Sequence, residues 1–357
     1  MRGGIGWYVH HQGAGHLDRA RRVAASLSRP CTLIGTFHGR DPGHPADLVL
    51  DLPDDRPIGH GDPGFGGVDG EAERPLALHY APLNHPGLRA RTARIAAWAA
   101  RTNPALLVVD VSVEVALFAR LLSLPTLVVR LAGRRDDPPH LEAFRAASGL
   151  IAPFPEALED PATPDWVRAK TVYAGLLAAR AAPSAAPEDG RIVVLLGSGG
   201  APRPLADLAA AARAVPERAW HVLGTVEGEG PVPDNLHLHG FVADVLVRLA
   251  PASLVVGACG DGTLAAVAGA AKRFLCLPEP RAFGEQALKA EALARLGAAV
   301  VHEGRHDGWP APDAWPDLVS RALALDPTPL ARLADPDAIP RTAAAIEAAA
   351  ARLEARG

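Results

Sequence analysis

A glycine-rich loop that carries a histidine follows the first short apolar run of the sequence. Gly13, Gly15 and His16 stand between a predicted strand at residues 5–9 and a predicted helix. Glycines at such a place let backbone N–H groups face outward, and the helix dipole there favours a negative or developing negative charge. Asp18 stands where a dinucleotide-binding fingerprint would have its third glycine, so that function is only weakly indicated. His16 has the chemistry of a general base for a hydroxyl group, although a lone histidine more often caps a helix or fills space.

Asp110 lies near the end of the apolar run 106–111, which predicts a buried parallel strand. Its carboxylate is therefore expected at the carboxyl edge of a sheet, the edge from which His16 also emerges. A carboxylate there would hold the Nδ1–H of an imidazole and raise its basicity. Capping of the helix that begins near Val113 is an equally good explanation.

Two more glycine loops occur in the second half of the chain, each between a predicted strand and a predicted helix. Residues 197–200 read Gly-Ser-Gly-Gly, and residues 259–263 read Cys-Gly-Asp-Gly-Thr. Each loop would hold a phosphate with its backbone amides and with the hydroxyl of Ser198 or Thr263. Glycine turns without a ligand are common, so each loop alone is a weak indication. The residues predicted to contact a phosphate are Gly197, Ser198, Gly199, Gly260, Gly262 and Thr263.

Glu285 and Gln286 open a predicted helix after the proline-rich turn 277–280. A carboxylate accepts hydrogen bonds and an amide both donates and accepts, so the pair suits two sugar hydroxyls. An ordinary acidic first helical turn is the alternative.

The elements that position these residues repeat one pattern of strand, glycine loop and helix. The pattern runs over residues 1–178, stops in the Ala- and Pro-rich segment 176–190, and restarts over 191–340. Unbroken apolar strands separated by helices predict parallel sheets. We therefore predict an α/β protein of two Rossmann-like domains that face a central cleft, with ligands at the carboxyl ends of both sets of strands. Residues 39–87 are predicted to be mostly long loops, and Arg19 is predicted on the solvent side of the first helix.

Composition and charge exclude several classes of function. The 36 Lys and Arg residues against 40 Asp and Glu residues give a formal net charge of −4, unlike the basic surface of a nucleic-acid-binding protein. Arg130, Arg134 and Arg135 are followed by two aspartates and are predicted to form a solvated loop. Three widely spaced cysteines fit a reducing compartment rather than a disulfide framework.

The sequence also predicts neither a metal site nor a membrane segment. It has no Cys-x-x-Cys pair, and no carboxylate lies at ligand spacing from His10 and His11. The apolar run at the N-terminus is too short for a signal peptide, and no stretch approaches the ~18 apolar residues of a membrane span. We therefore predict a cytoplasmic protein.

Four motifs together resemble those of the GT-B glycosyltransferases, specifically the branch that contains the peptidoglycan lipid-linked N-acetylglucosaminyltransferase and the antibiotic and plant glucosyltransferases. The last two motifs, in this order and at this spacing, are fairly specific, and the resemblance spans almost the whole chain. The motifs are GAGH at Gly13–His16, DVSVEVALFARLLSLP at Asp110–Pro125, HGFVADVLVRLAPASLVVGACGDGTLAAVAGAAKRFLCLP at His239–Pro278 and FGEQALKAEALARLGAA at Phe283–Ala299.

For the second half, the resemblance implies a binding site for a nucleotide-diphosphate sugar, UDP- or dTDP-linked, that acts as co-substrate without a metal ion or a cofactor. The diphosphate would lie against the amides of Gly262 and Thr263, and Ser198 and Gly199 would face it from the other loop. The pair at 285–286 would contact the donor sugar.

For the first half, the resemblance implies a site for an acceptor. His16 would deprotonate an acceptor hydroxyl, and Asp110 would orient it. Attack on the anomeric carbon would invert its configuration. The final helix, within 341–357, would pack back onto the first half. Neither the acceptor nor the oligomeric state follows from the sequence.

Four residues depart from the pattern of the family. Ala258 replaces a common histidine, Ala266 replaces the acidic residue that usually grips the ribose, and Arg273 replaces a proline. Loss of the ribose hydrogen bond would cost ~1.5–3 kcal/mol. Asp261 puts a carboxylate beside the expected diphosphate unless it turns outward as a helix cap. These departures keep open a non-catalytic protein that binds a sugar or a partner, and a nucleotide-sugar epimerase or hydrolase.

Overall fold

Two parallel β-sheets form the framework of the protein. The computed structural model describes residues 3–11, 14–55, 75–177, 190–197, 200, 202–302 and 309–355. The strands, in chain order, are β1 Ile5–Tyr8, β2 Cys31–Gly35, β3 Val49–Asp51, β4 Leu106–Asp110, β5 Thr126–Val129, β6 Gly149–Ala152, β7 Thr171–Tyr173, β8 Arg191–Leu195, β9 Arg203–Pro204, β10 Ala219–Leu223, β11 Val226–Glu227, β12 Leu236–Leu238, β13 Leu254–Gly257, β14 Arg273–Cys276 and β15 Val300–Val301.

Helices connect nearly all of these strands. The α-helices are α1 Ala14–Ala24, α2 Pro86–Thr102, α3 Val113–Leu121, α4 Pro138–Ala146, α5 Asp165–Ala169, α6 Leu205–Ala214, α7 Val245–Leu249, α8 Asp261–Gly269, α9 Glu285–Arg295, α10 Trp315–Leu323, α11 Thr328–Ala331 and α12 Ala338–Glu354. Short 3₁₀ turns occur at Ala46–Leu48, Glu156–Leu158, Ala282–Gly284 and Pro312–Ala314.

The first sheet has seven parallel strands in the order β3-β2-β1-β4-β5-β6-β7. Its centre is β1 beside β4, and every residue of both strands is buried because helices cover both faces. Alternate residues feed two cores: Ile5 and Trp7 pack on the side of α1, and Tyr8 packs on the side of α2 and α3. The strand β3 lies within the segment predicted to be mostly loop, where a strand of three residues is too short to produce a visible period.

The second sheet repeats this architecture with six parallel strands in the order β12-β10-β8-β13-β14-β15. Its strands also alternate between two apolar cores, one of which contains α6 and α10 and the other α8 and α9. The topology confirms the α/β class and the two parallel sheets predicted from the sequence. The predicted linker falls mostly on residues 178–189, which lie outside the described residues.

The two halves share part of their interior. The core beneath α8 and α9 continues into side chains of the first half, including Phe154, Leu158 and Leu176. The last helix, α12, packs on the first half, where Ile346 joins the same apolar core as Ile5. Within the described residues, each helix is too short or too polar to span a bilayer.

Candidate functional site

His16 and Asp110 meet at the carboxyl edge of the first sheet. Asp110 is the last residue of β4 and is completely buried, and His16 lies in the first turn of α1. The Nδ1 atom of His16 is 3.0 Å from Oδ1 of Asp110. Asp110 does not cap the following helix, because Ser112 is the N-cap residue of α3 and its Oγ accepts a hydrogen bond from the Val115 amide. The carboxylate is therefore available to the histidine, and we call His16 and Asp110 together the dyad.

Arg19 completes this arrangement, and its predicted place on the solvent side of α1 is wrong. The side chain is buried, and its Nη2 donates to both carboxylate oxygens of Asp110 at 3.0 Å. Arg19 follows His16 by three residues, so both side chains leave the same face of the helix. Periodicity identified a polar face correctly but could not show that this face is turned toward a buried carboxylate.

The charge state of Asp110 follows from its neighbours. Burial alone would raise the pKa of the carboxyl, but Arg19 and then His16 hold that pKa below its usual value. The Arg19 Nη2 is also 3.0 Å from Nδ1 of His16, so the two basic groups crowd one carboxylate oxygen. If Nδ1 carries the ring proton, both can donate to Asp110, and Nε2 is left with its lone pair.

The glycine loops of the second half also come together at a strand edge. A Cβ atom placed on Gly197 would lie 3.8 Å from Oγ1 of Thr263, so the loop after β8 contacts the first turn of α8. Gly260 is the N-cap residue of α8, and Gly262 is exposed. Gly13, Ser198 and Gly199 lie outside the described residues.

The carboxylate of Asp261 is paired with a lysine and is not turned outward as a helix cap. It is the first residue of α8, and its Oδ1 is 2.5 Å from Nζ of the completely buried Lys289. The same Nζ is 2.8 Å from Oε1 of Glu285. Burial would lower the pKa of Lys289, but the two carboxylates raise it, so the lysine is charged. The sequence signal for this ion pair was the Glu–Lys spacing of four residues, which also occurs on exposed helices.

Gln286 has its own partner on the protein. It is buried, and its Oε1 accepts a hydrogen bond from the amide of Glu279 at 2.9 Å. Its Nε2 lies 3.8 Å from the place where a Cβ of Gly260 would stand. The structure thus brings the first turn of α9 against the glycine loop of α8, as a shared binding surface requires.

These groups form a chain of alternating charges that crosses from one half to the other. Nη1 of Arg19 is 3.7 Å from Oδ2 of Asp261, and Nη2 of Arg135 is 3.9 Å from Oε2 of Glu285. We use the term charge chain for these acids and bases together. Its members in order are Asp110, Arg19, Asp261, Lys289, Glu285 and Arg135.

The predicted solvated loop at residues 130–135 is therefore wrong for two of its three arginines. Arg130 is buried against the carboxylate of Glu159, and the side chain of Arg135 is only 8% exposed at its place in the charge chain. Arg134 alone is more than half exposed. The two buried arginines have carboxylate partners that lie far away in sequence, so a local pattern could not reveal them.

A second contact between the halves surrounds Phe283, immediately before Glu285. The Phe283 carbonyl accepts a hydrogen bond from the Arg134 amide at 2.7 Å, and its ring packs edge-on against His140 at 4.8 Å. The guanidinium of Arg135 lies 4.8 Å from the centre of the same ring. We call these contacts the Phe283 clasp. Phe283 adopts φ 60° and ψ 19°, a left-handed conformation that a side chain rarely takes without compensation.

One group of side chains has the spacing of metal ligands. Donor atoms of His79, Asp137 and His140 lie within 4.8 Å of one another. The Nη1 of Arg135 lies 3.1 Å from Nε2 of His140, which places the ring proton on Nδ1, where it donates to Asp137 at 2.8 Å. These hydrogen bonds connect the cluster to the Phe283 clasp through Arg135.

An apolar cavity of about 280 Å³ opens beside this edge of the first sheet. It lies between one face of α2 and the start of α3, and the end of β1 forms its floor. The lining includes Tyr8, His10, Tyr80, Arg91, Glu114 and Phe118. The sequence did not predict this cavity, although Leu88, Arg91 and Ile95 have the spacing of one helix face.

Comparison with known proteins gives the fold its context. No protein-family model matches the sequence. The chain is 34% identical over 246 residues to the UDP-N-acetylglucosamine--N-acetylmuramyl-(pentapeptide) pyrophosphoryl-undecaprenol N-acetylglucosamine transferase of Rhodopseudomonas palustris (strain BisA53). That alignment covers 60% of this chain and 62% of the relative, so the chain spans less than two thirds of the length of the curated relative that it matches.

Solved structures match the chain over nearly its full length. The calicheamicin glycosyltransferase CalG4 superposes with a TM-score of 0.71 at 17% identity, covering 99% of both chains. The spinosyn rhamnosyltransferase SpnG, solved in complex with thymidine diphosphate, gives 0.67 at 20% identity and covers 97% of this chain and 99% of its own. The chain has the GT-B fold. The predicted fold and the predicted resemblance to the antibiotic and peptidoglycan branch are both confirmed.

Proposed function

We propose that this GT-B protein is a glycosyltransferase that moves a sugar from a nucleotide-diphosphate sugar to an acceptor hydroxyl, with inversion and without a metal ion. The proposal is supported above all by the contact of His16 with the buried Asp110 at the edge of the cleft. A base there, with a sugar donor held by the other half, has the two parts that such a transfer needs.

His16 acts as the base through Nε2. Asp110 accepts the Nδ1 proton, fixes the ring and stabilises the imidazolium that forms when Nε2 takes the hydroxyl proton. The deprotonated oxygen then attacks the anomeric carbon from the face opposite the departing diphosphate. Proton transfer by a positioned side chain contributes typically 10²–10⁴-fold to a rate.

The donor is held by the second half. Backbone amides at the start of α8, near Gly262 and Thr263, face the diphosphate, and the helix dipole favours its charge. Gly197, Ser198 and Gly199 lie on the opposite side in this proposal, and Gly260 allows close approach of the sugar to Glu285 and Gln286. UDP and TDP are the nucleotides to test, because the curated relative and the SpnG complex carry these names.

Calorimetric titration with UDP and TDP, followed by a donor hydrolysis or transfer assay, tests the proposal. We expect one of the nucleotides to bind, and we expect His16→Ala to lower turnover by ~10²–10⁴-fold while leaving nucleotide affinity within about twofold, because base and donor sites lie on different halves. His237→Ala, which removes an exposed histidine of the edge strand β12, is the control. Full activity in His16→Ala would disprove the mechanism.

A non-catalytic GT-B protein is the second candidate, and one observation favours it. On the donor side, Asp261 occupies the expected diphosphate region and is already neutralised by Lys289. With alanine at 258 and 266, fewer groups remain to hold a nucleotide. Absence of heat with every nucleotide, from a protein that is folded by circular dichroism, would favour this candidate over the transferase.

A further inference from the structure

The cavity beside the dyad has an apolar wall and a polar frame. Leu88, Ile95, Val115 and Phe118 supply apolar surface from two helices that face each other. Tyr80 closes one side, where its hydroxyl donates to the carbonyl oxygen of Asp55 at 2.7 Å. A dry cavity of about 150 Å³ already holds benzene. The present cavity, at about 280 Å³, is large enough for fused rings.

The charged side chains in the cavity wall already have partners on the protein. The buried guanidinium of Arg91 pairs with the carboxylate of Asp55 and donates to the hydroxyl of Tyr8 at 2.7 Å. Glu114 accepts hydrogen bonds from the amides of His79 and Tyr80 at 2.8 and 2.9 Å. Among the described residues, the wall therefore contains two carboxylates and one guanidinium, and this excess of acids opposes the binding of an anion.

His10 connects the cavity to the dyad. It lines the cavity, and its ring centre lies 5.5 Å from that of His16. Burial, together with His16 and His11, lowers the pKa of His10 to about 4, so this ring is neutral at neutral pH. A hydroxyl at this end of a bound ring system would therefore stand beside the base without meeting a fixed charge.

From this geometry we infer that the acceptor is a compact, uncharged alcohol or phenol with one to three rings, rather than a phosphorylated lipid. This inference rests on the proposed function and specifies its acceptor. The apolar faces of α2 and α3 hold the rings, and the excess of carboxylates in the wall excludes phosphate groups.

Two probes that share a naphthalene ring, one an uncharged alcohol and the other its phosphate ester, test the inference. In a fluorescence titration at pH 7.5, 2-naphthol should bind saturably at a single site, and 2-naphthyl phosphate should bind at least ~tenfold more weakly because of the two wall carboxylates. Equal or tighter binding of the phosphate, or no binding of 2-naphthol, would overturn the inference.

A pair of variants on α3 locates the bound probe. Phe118→Asp places a carboxylate in the apolar wall and should lower 2-naphthol affinity at least ~tenfold. Leu121→Asp is the matched control, because Leu121 is 83% exposed on the same helix, and its affinity should equal that of the wild type. Unchanged affinity in Phe118→Asp would place the probe elsewhere and overturn the inference.

Titration of the same samples with UDP and TDP separates the two proposals. Nucleotide binding without 2-naphthol binding would leave the transferase in place and remove this acceptor class. Binding of 2-naphthol without binding of either nucleotide would remove the cavity's role as an acceptor site together with the transferase.

Discussion

Asp110 is a fully buried carboxylate whose charge depends on two neighbours. Arg19 approaches both of its oxygens, and His16 approaches one. Removing one member of a buried ion pair leaves the other without a partner, whereas replacing both members with apolar groups is often neutral. Variants of Asp110 and Arg19 can therefore separate the contribution of this ion pair to stability from its contribution to catalysis.

We expect Asp110→Asn to lower the free energy of unfolding by up to about 3–5 kcal/mol, because it leaves the buried Arg19 guanidinium with only the more distant carboxylate of Asp261, 3.7 Å away, as an ion-pair partner. The double variant Asp110→Leu Arg19→Met should recover most of that stability but none of the turnover. Urea unfolding at pH 7.5 and the transfer assay measure the two effects. A double variant as unstable as the single one would contradict this account of the pair.

His140 makes stability depend on pH. Burial, and then the charge of Arg135, lowers the pKa of His140 from 6.5 to about 4. Between these two values the unfolded chain takes up a proton that the folded protein does not, so stability falls as the pH is lowered from 6.5 to 4. The loss from this residue reaches up to about 3 kcal/mol.

Urea unfolding at pH 7.5, 6, 5 and 4.5 checks this prediction. His140→Gln keeps a polar side chain that does not titrate, so its stability should change less between pH 6.5 and 4.5 than that of the wild type. Parallel pH profiles for the two proteins would contradict the assignment to His140.

Among the elements, the short segment before α9 makes a close contact between the halves. Gly133 has φ +102°, and a Cβ added there would lie 2.8 Å from the carbonyl oxygen of Phe283. The Phe283 clasp thus depends on a glycine in the first half and on a left-handed residue in the second. The clasp holds the chain immediately before Glu285, at the proposed sugar site.

Gly133→Ala should lower the free energy of unfolding by about 2–4 kcal/mol, since it adds a steric clash to the backbone strain. Gly228→Ala is the matched control: its φ is +82°, and an added Cβ meets nothing within 4 Å, so only about 1–2 kcal/mol of strain is expected. Equal losses in the two variants would show that the contact with Phe283 carries no energy.

At the scale of strands and helices, the sequence predicts the fold but only part of the candidate site. Strand-to-helix glycine loops and apolar strands predict the two parallel sheets, and the strand end at Asp110 predicts its approach to His16 because parallel strands share one edge. Periodicity alone cannot show that Arg19 and Lys289 are buried, because their partners come from distant segments. The helix α4 was also missed, although Asp137 followed by two prolines is a typical helix start.

The whole molecule is held together by α12 and by the apolar core that both halves share. Ile346 of α12 is completely buried in the core of the first half, and carboxylate oxygens of Glu354 accept from the Arg29 guanidinium at 2.8 and 2.9 Å. Because the second core also contains Phe154 and Leu158, unfolding of one half would expose apolar surface of the other. We therefore expect the two halves to unfold together.

Ile346→Ala should lower the free energy of unfolding by about 2–5 kcal/mol by leaving a cavity in the first half. Leu353→Ala, at a partly buried position of the same helix, should have a smaller effect. Tryptophan fluorescence and far-UV circular dichroism should report one coincident transition that shifts as a unit. Two separate transitions, of which only one moves, would show that the shared core does not couple the halves.

The charge chain contains three acids and three bases, so its formal charges cancel. A dianionic ligand that docks beside it therefore brings negative charge for which this chain holds no surplus cation. The backbone amides at the start of α8 then supply the positive partner, because the helix dipole places partial positive charge there without a charged side chain.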